Sequence, residues 1–189
     1  MSDIQFPIKL NAEVFLRPFK LTDIASIAAE ANNIKIASNL NEGFPHPYSI
    51  NDAKDFILRR HSENPEQVLA IEVEGKAVGA IGLFLQQNVH RKNAEIGYWL
   101  GEKYWNRGIG TSALKAMIQY AFTNFDLLRL FARPFPFNIA SQKILEKCGF
   151  RLEAIIKNGL FKDGIVYDEW IYSLLKSDLN EEFSGKSNG

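Results

Sequence analysis

The stretch Tyr98-Trp99-Leu100-Gly101-Glu102-Lys103-Tyr104-Trp105-Asn106-Arg107-Gly108-Ile109-Gly110-Thr111-Ser112 reads as strand, tight loop and helix start, and the rest of the chain is organised around it. Upstream, residues 94–100 have the apolar and aromatic content of a buried strand. Downstream of Gly110, residues Leu114, Met117, Ile118, Ala121, Phe122 and Phe125 recur at helical spacing. Gly108 and Gly110 mark the junction, and they remove the Cβ atoms that would keep a ligand away from the backbone. The first turn of a helix carries N–H groups without intrahelical acceptors, so those donors and the positive end of the helix dipole favour an anion there. Arg107 adds a guanidinium beside that turn, and a diphosphate is the kind of anion such a set would hold. A plain glycine-containing connection that starts a helix explains the same residues, because short Gly motifs are weak signals.

Composition narrows the class. The 189 residues are 46% hydrophobic, enough for one good core, and the expectation is a single domain over residues 9–176. The 22 basic and 22 acidic residues cancel, which argues against a general electrostatic attraction to nucleic acid or to an anionic membrane. The longest apolar run, residues 77–85, is broken by two glycines and falls far short of the roughly 20 residues a membrane span requires. No signal-peptide layout opens the chain. A lone cysteine, Cys148, excludes an internal disulfide, and a cytoplasmic location is expected.

In chain order, residues 1–10 read as a lead-in and residues 14–18 as a first strand closed by Pro18. Leu21, Ile24, Ile27, Ala28 and Ala31 give a helical pattern with Thr22 or Asp23 as cap. Residues 32–48 lack periodicity and contain Gly43, Pro45 and Pro47, which predicts a loop in which His46 is solvated. A second helix carries Ala53, Phe56, Ile57 and Arg60. The period then changes: residues 68–73 and 77–85, joined at Glu74-Gly75-Lys76, read as a hairpin, and residues 91–100 as its next antiparallel neighbour. After the central helix come a strand at 128–132, a helix at 138–148, and strands at 150–156 and 169–175. The expected fold is therefore α/β of the α+β kind, a mixed and mostly antiparallel sheet flanked by helices. Residues 177–189 are polar, without an apolar face, and are expected to fray.

The second informative constellation is Asn138-Ile139-Ala140-Ser141-Gln142-Lys143-Ile144-Leu145-Glu146-Lys147-Cys148-Gly149-Phe150, a helix with Asn138 as N-cap and Gly149 as its stop. Ala140, Ile144, Leu145 and Cys148 form its inner face, so Cys148 reads as a packing residue.

Two familiar phosphate-binding motifs fail on the first stretch. A Walker loop, G-x-x-x-x-G-K-[ST], does not occur, and Gly108-Ile109-Gly110 lacks the third glycine of a dinucleotide fingerprint. The stretch instead resembles the acyl-CoA loop of the GNAT acetyltransferase superfamily, [QR]-x-x-G-x-[GA]. It is closest to the RimJ/RimL-type branch, where W-G-x-G-x-[AG] follows a G-Y-W-[LI] strand. Gly97-Tyr98-Trp99-Leu100 and Trp105-Asn106-Arg107-Gly108-Ile109-Gly110 match, with Asn106 replacing the first glycine; Asn tolerates positive φ better than most residues. Residues 138–150 resemble the same family's N-x-x-[AS]-x-x-x-[YL]-E-K-x-G-F signature, and the element order resembles the family over residues 9–176.

The resemblance implies an N-acetyltransferase that uses acetyl-CoA as co-substrate and needs no metal. It implies cofactor contacts at Tyr98, Trp99, Leu100, Arg107, Gly108, Ile109, Gly110 and Thr111, with Asn138 and Ser141 near the pantetheine. Many relatives carry, seven positions after the Asn, a tyrosine that protonates the departing thiolate; here Leu145 stands there, with no proton to give. RimL-like relatives place serine where this chain has Ser141, which makes its hydroxyl the candidate proton donor; support of the helix start explains it as well. Direct transfer also needs a deprotonated amine and N–H donors for the oxyanion. Main-chain groups of the Tyr98–Leu100 strand suit the second need. Glu95 is the preferred carboxylate for the first, acting through water, with Asp168 and Glu169 as competitors and an ion pair with Arg91 or Lys92 as the plain alternative. A protein N-terminal α-amine is the favoured acceptor, a small-molecule amine the runner-up. A CoA-binding module without chemistry and a homodimer both stay open.

Overall fold

The computed structural model describes residues 5–60 and 63–179. Eight strands form one sheet in the order β1-β2-β3-β4-β5-β6-β8-β7. The strands are β1 (Ile8–Lys9), β2 (Val14–Arg17), β3 (Val68–Val73), β4 (Lys76–Leu85), β5 (Asn93–Leu100), β6 (Arg129–Ala132), β7 (Arg151–Lys162) and β8 (Ile165–Leu175). Every pairing is antiparallel except β5 with β6. Among the described residues the sheet is flanked by α1 (Ile24–Ala31), α2 (Ile34–Ala37), α3 (Ile50–Arg60), α4 (Ile109–Asn124) and α5 (Ile139–Lys147). No helix among the described residues is long and apolar enough to cross a membrane.

The alternation of β5 divides the core between the two sheet faces. Ile96, Tyr98 and Leu100 join the cluster built with Leu114, Met117 and Ile118 of α4 and Leu145 of α5. Trp99 belongs to the other side, with Ile27, Ala28 and Ala31 of α1 and Ala53 and Ile57 of α3. Nearly every side chain of β3 and β4 is buried, as expected of strands covered by helices on both faces. Their turn, Glu74-Gly75, has φ of 49° and 78°, the paired positive values of a tight hairpin.

Where β5 meets β6 the sheet opens. The parallel register runs Asn93↔Arg129, Ala94↔Leu130, Glu95↔Phe131 and stops there, although β5 continues to Leu100. Gln86 N–H donates to Asn93 O at 3.0 Å and Gly101 N–H to Val78 O at 2.8 Å. The odd-numbered residues of β5 thus bond to β4, and the even ones, Tyr98 and Leu100, direct their main-chain groups into the opening.

Several expectations are corrected. Residues 32–48 are not wholly loop: Asn33 caps α2 by accepting from Lys35 N–H at 2.9 Å. Within the lead-in, Ile8 and Lys9 pair with β2. The strand expected from residue 91 begins at Asn93, after a short 3-10 turn at Asn88–His90. The last two strands are far longer than expected and turn at Asp163-Gly164, with φ of 51° and 80°. Of the expected tail, residues 177–179 lie in a short helical turn and Leu179 packs on the core; residues 180–189 lie outside the described residues.

Candidate active site

The loop after β5 folds as its residues dictate. Asn106 takes φ 59°, the left-handed conformation that suits Asn, and Gly108 takes φ 74° as the N-cap of α4. Trp105 Nε1–H donates to Leu100 O at 2.7 Å, tying the loop to the strand end. The first helical bond of α4 is Ser112 N–H to Gly108 O at 3.0 Å, so the amides of Ile109, Gly110 and Thr111 lie ahead of the helical ladder. A Cβ on Gly108 would meet nothing within 4 Å, so the backbone is open to an approaching ligand, whereas one on Gly110 would sit 3.1 Å from Ile144 Cδ1. The second glycine therefore also lets α5 pack against the first turn of α4.

These amides border a cavity of about 610 Å³. Tyr98, Trp99, Leu100, Gly108, Ile109, Gly110, Thr111, Asn138 and Ser141 all line it. Arg107 does not: it is exposed, with its guanidinium 5.8 Å from the centroid of the Tyr104 ring, itself part of the cavity wall. The cations that do line the cavity are Lys35, Lys143 and Lys147, which sequence reasoning missed. The i, i+4 spacing of Lys143 and Lys147 on α5 was the available signal. Amide donors, an open glycine, the ammonium groups of Lys143 and Lys147 and apolar walls from Leu100, Ile139 and Ile144 suit a long ligand with a polyanionic end and a neutral arm, while the Lys35 ammonium is paired with Glu102.

A second cavity, of about 490 Å³, lies on the other side of β5. The two share Asn39, Leu40, Tyr98, Trp99, Asn138 and Ser141. Phe44, Tyr48, Phe84 and Phe135 wall the second one, and Glu95, Arg133 and Glu169 give it charge. Of the carboxylates considered from sequence, Glu95 is held here by Arg133 rather than by Arg91 or Lys92. Arg133 Nε donates to Glu95 Oε1 at 3.1 Å and Nη2 to Oε2 at 2.5 Å, while Nη1 reaches Glu169 Oε1 at 3.2 Å. The Glu95 hydrogen bond and charge hold the guanidinium pKa above its usual value, against burial, with Glu169 adding to the effect. Asp168 turns away to Lys157, at 2.8 Å, and its pKa is lowered by that hydrogen bond. His46 is exposed and lines neither cavity.

Ser141 sits where the cavities join. Asn138 Oδ1 accepts its N–H at 3.1 Å, the N-cap bond expected of Asn. Ser141 Oγ is 2.9 Å from the Tyr98 hydroxyl, a contact across 43 residues of chain that no local pattern announces. Burial pushes the Tyr98 phenol pKa well up, only partly offset by the Ser141 hydrogen bond, so it remains protonated. Buried Gln142 fixes the approach to α5 by donating to Phe135 O at 3.2 Å and Pro136 O at 2.9 Å. Leu145 is fully buried beneath. Burial raises the Cys148 thiol to about 11, and its Sγ lies 3.6 Å from Thr111 O, which agrees with a packing role.

Residues 13–151 match the family model described as the acetyltransferase (GNAT) domain. The chain belongs to the GNAT acetyltransferases. It is an acetyl-CoA-dependent N-acetyltransferase. The relative named "Putative ribosomal N-acetyltransferase YdaF", from Bacillus subtilis (strain 168), is 36% identical over 109 residues, 58% of this chain and 59% of that protein. The spermidine N(1)-acetyltransferase of Escherichia coli (strain K12) is 27% identical over 152 residues, 80% of each. Among solved structures, microcin C7 self-immunity acetyltransferase MccE in complex with acetyl-CoA and AMP superposes with a TM-score of 0.76 at 27% identity, covering 89% of this chain and 96% of that one. RimL, the ribosomal L7/L12 alpha-N-protein acetyltransferase in complex with coenzyme A, gives 0.78 at 18% identity, covering 89% and 97%, and shares the fold.

Proposed function

We propose that this GNAT enzyme acetylates a protein N-terminal α-amine. The reading rests chiefly on the two cavities that meet at Tyr98, Trp99, Asn138 and Ser141, one suited to acetyl-CoA and the other to the acceptor. In this reading the amides of Ile109, Gly110 and Thr111 and the ammonium groups of Lys143 and Lys147 hold the phosphates. Main-chain N–H groups of Tyr98 and Leu100, which face the opening beyond the last β5–β6 pair, receive the thioester oxygen as negative charge develops. Ser141 gives its hydroxyl proton to the leaving sulfur, a role Leu145 has no group to perform.

The deprotonation of the amine falls to Glu169 rather than to Glu95. Both Glu95 oxygens accept from Arg133, whereas only Oε1 of Glu169 does so. The similarity to YdaF supports a protein acceptor. A small polyamine is the second reading, favoured by the similarity to spermidine acetyltransferase and by the formal net charge of −1 on the Glu95–Arg133–Glu169 group. CoA thiol release measured with acetyl-CoA over a panel of N-terminal peptides and polyamines separates the two. The expected result is peptide-dependent release exceeding that with spermidine; release with polyamines alone would refute the protein acceptor.

A further inference from the structure

The hydroxyl of Tyr98 is left without a task by the reading above, although this half-buried side chain stands at the junction of both cavities. We propose that Tyr98 is a positioning residue for proton transfer, its phenol donating to Ser141 Oγ so that the serine proton is turned toward the leaving sulfur. The inference rests on Ser141 being the donor.

The close contact of the two hydroxyls at the junction of the cavities carries it. The Tyr98 hydroxyl lies 2.9 Å from Ser141 Oγ and 3.3 Å from Ser141 O. Either hydroxyl can donate across the shorter contact, and in the proposed arrangement the single phenolic hydrogen goes to Oγ, the nearer oxygen, rather than to the carbonyl. Serine has a single hydroxyl hydrogen. With Oγ accepting from Tyr98, that hydrogen is free for the cavity; were serine the donor to tyrosine, it would be withdrawn from the sulfur. The bond from Asn138 Oδ1 to Ser141 N–H fixes the backbone beneath, which leaves the hydroxyl direction to Tyr98.

The proton account closes. As the C–S bond breaks, its electron pair goes to sulfur, which takes the Ser141 proton. Ser141 Oγ, holding negative charge for that moment, accepts from Tyr98, and it is reprotonated by the proton that the attacking amine releases through water. Tyr98 keeps its own proton throughout, consistent with a phenol that burial holds neutral.

Tyr98→Phe, Ser141→Ala and the double variant test this by single-turnover acetyl transfer alongside acetyl-CoA binding. Tyr98→Phe is expected to slow transfer about 10- to 100-fold, the worth of a hydrogen bond to a charged oxygen, with acetyl-CoA affinity within about twofold. The double variant should be no slower than Ser141→Ala, because the phenol acts only through that serine. A Tyr98→Phe rate within about threefold of wild type would overturn the proposal, as would a further slowing in the double variant. Loss of acetyl-CoA affinity or of a cooperative melt in Tyr98→Phe would assign the phenol to structure and also overturn it. Failure of the underlying reading looks different: Ser141→Ala would then keep its full rate.

Discussion

At the residue scale, Gly108 shows how one position serves both fold and ligand. Its φ of 74° is the left-handed region that a branched side chain avoids, and the space where a Cβ would point is empty. Gly108→Val therefore strains the cap of α4 and fills the approach to the first-turn amides. The acetyl-CoA dissociation constant should rise at least about tenfold, while left-handed strain costs stability only about 1–2 kcal/mol. Calorimetric titration beside a thermal melt checks both; unchanged affinity would remove the amides from phosphate binding. The glycines and Asn106 were legible in the sequence because a positive φ has a compositional signature. The direction of Arg107 was not, since nothing local says that its guanidinium lies on Tyr104 while α5 supplies Lys143 and Lys147. Likewise the sequence offers Glu95 as a base or as a partner of nearby Arg91 or Lys92, and only the fold brings Arg133 to it from 38 residues away.

Among the elements, α5 joins the cap, the proposed proton donor and the loop that Gln142 fastens. Asn138 Oδ1 accepts from the backbone of the same residue whose hydroxyl is the proposed proton donor, which would couple stability and rate there. Asn138→Ala should cost about 1 kcal/mol, and it should also slow acetyl transfer because Ser141 loses its fixed backbone. Chemical denaturation and single-turnover rates test the pair; an altered stability with an unaltered rate would show the cap to be structural only. Element order from β2 to β8 followed from periodicity, since buried central strands and amphipathic helices impose it on the sequence. The β7–β8 hairpin was underestimated because its residues are largely exposed and mix polar with apolar side chains, so no alternation extends past residue 156. The Asp163-Gly164 pair was the signal that marked its turn. The short α2 escaped notice because four residues are too few to show a period.

Over the whole molecule, a buried ion cluster secures the half of the sheet remote from the chemistry. Arg17 donates to Asp23 Oδ2 at 2.7 Å and Oδ1 at 2.9 Å and is also paired with Glu72; Asp23 in turn accepts Lys20 N–H at 2.8 Å. Sequence reasoning gave Asp23 only the cap. Asp23→Ala should destabilise the protein by about 3–5 kcal/mol, since it leaves a buried guanidinium short of a partner. The acetyl-CoA dissociation constant of the folded fraction should be unchanged. Equilibrium unfolding followed by titration below the new midpoint measures both, and a loss near zero would show that Glu72 alone suffices. The claim on which the functional reading turns is that the two cavities meet at a proton donor, Ser141. Single-turnover acetyl transfer by wild type and Ser141→Ala, with acetyl-CoA binding measured in parallel, tests it most directly. The expected result is a rate lowered about 10²- to 10⁴-fold at nearly unchanged affinity. A Ser141→Ala rate within about threefold of wild type would contradict it, because the general-acid contribution would be absent.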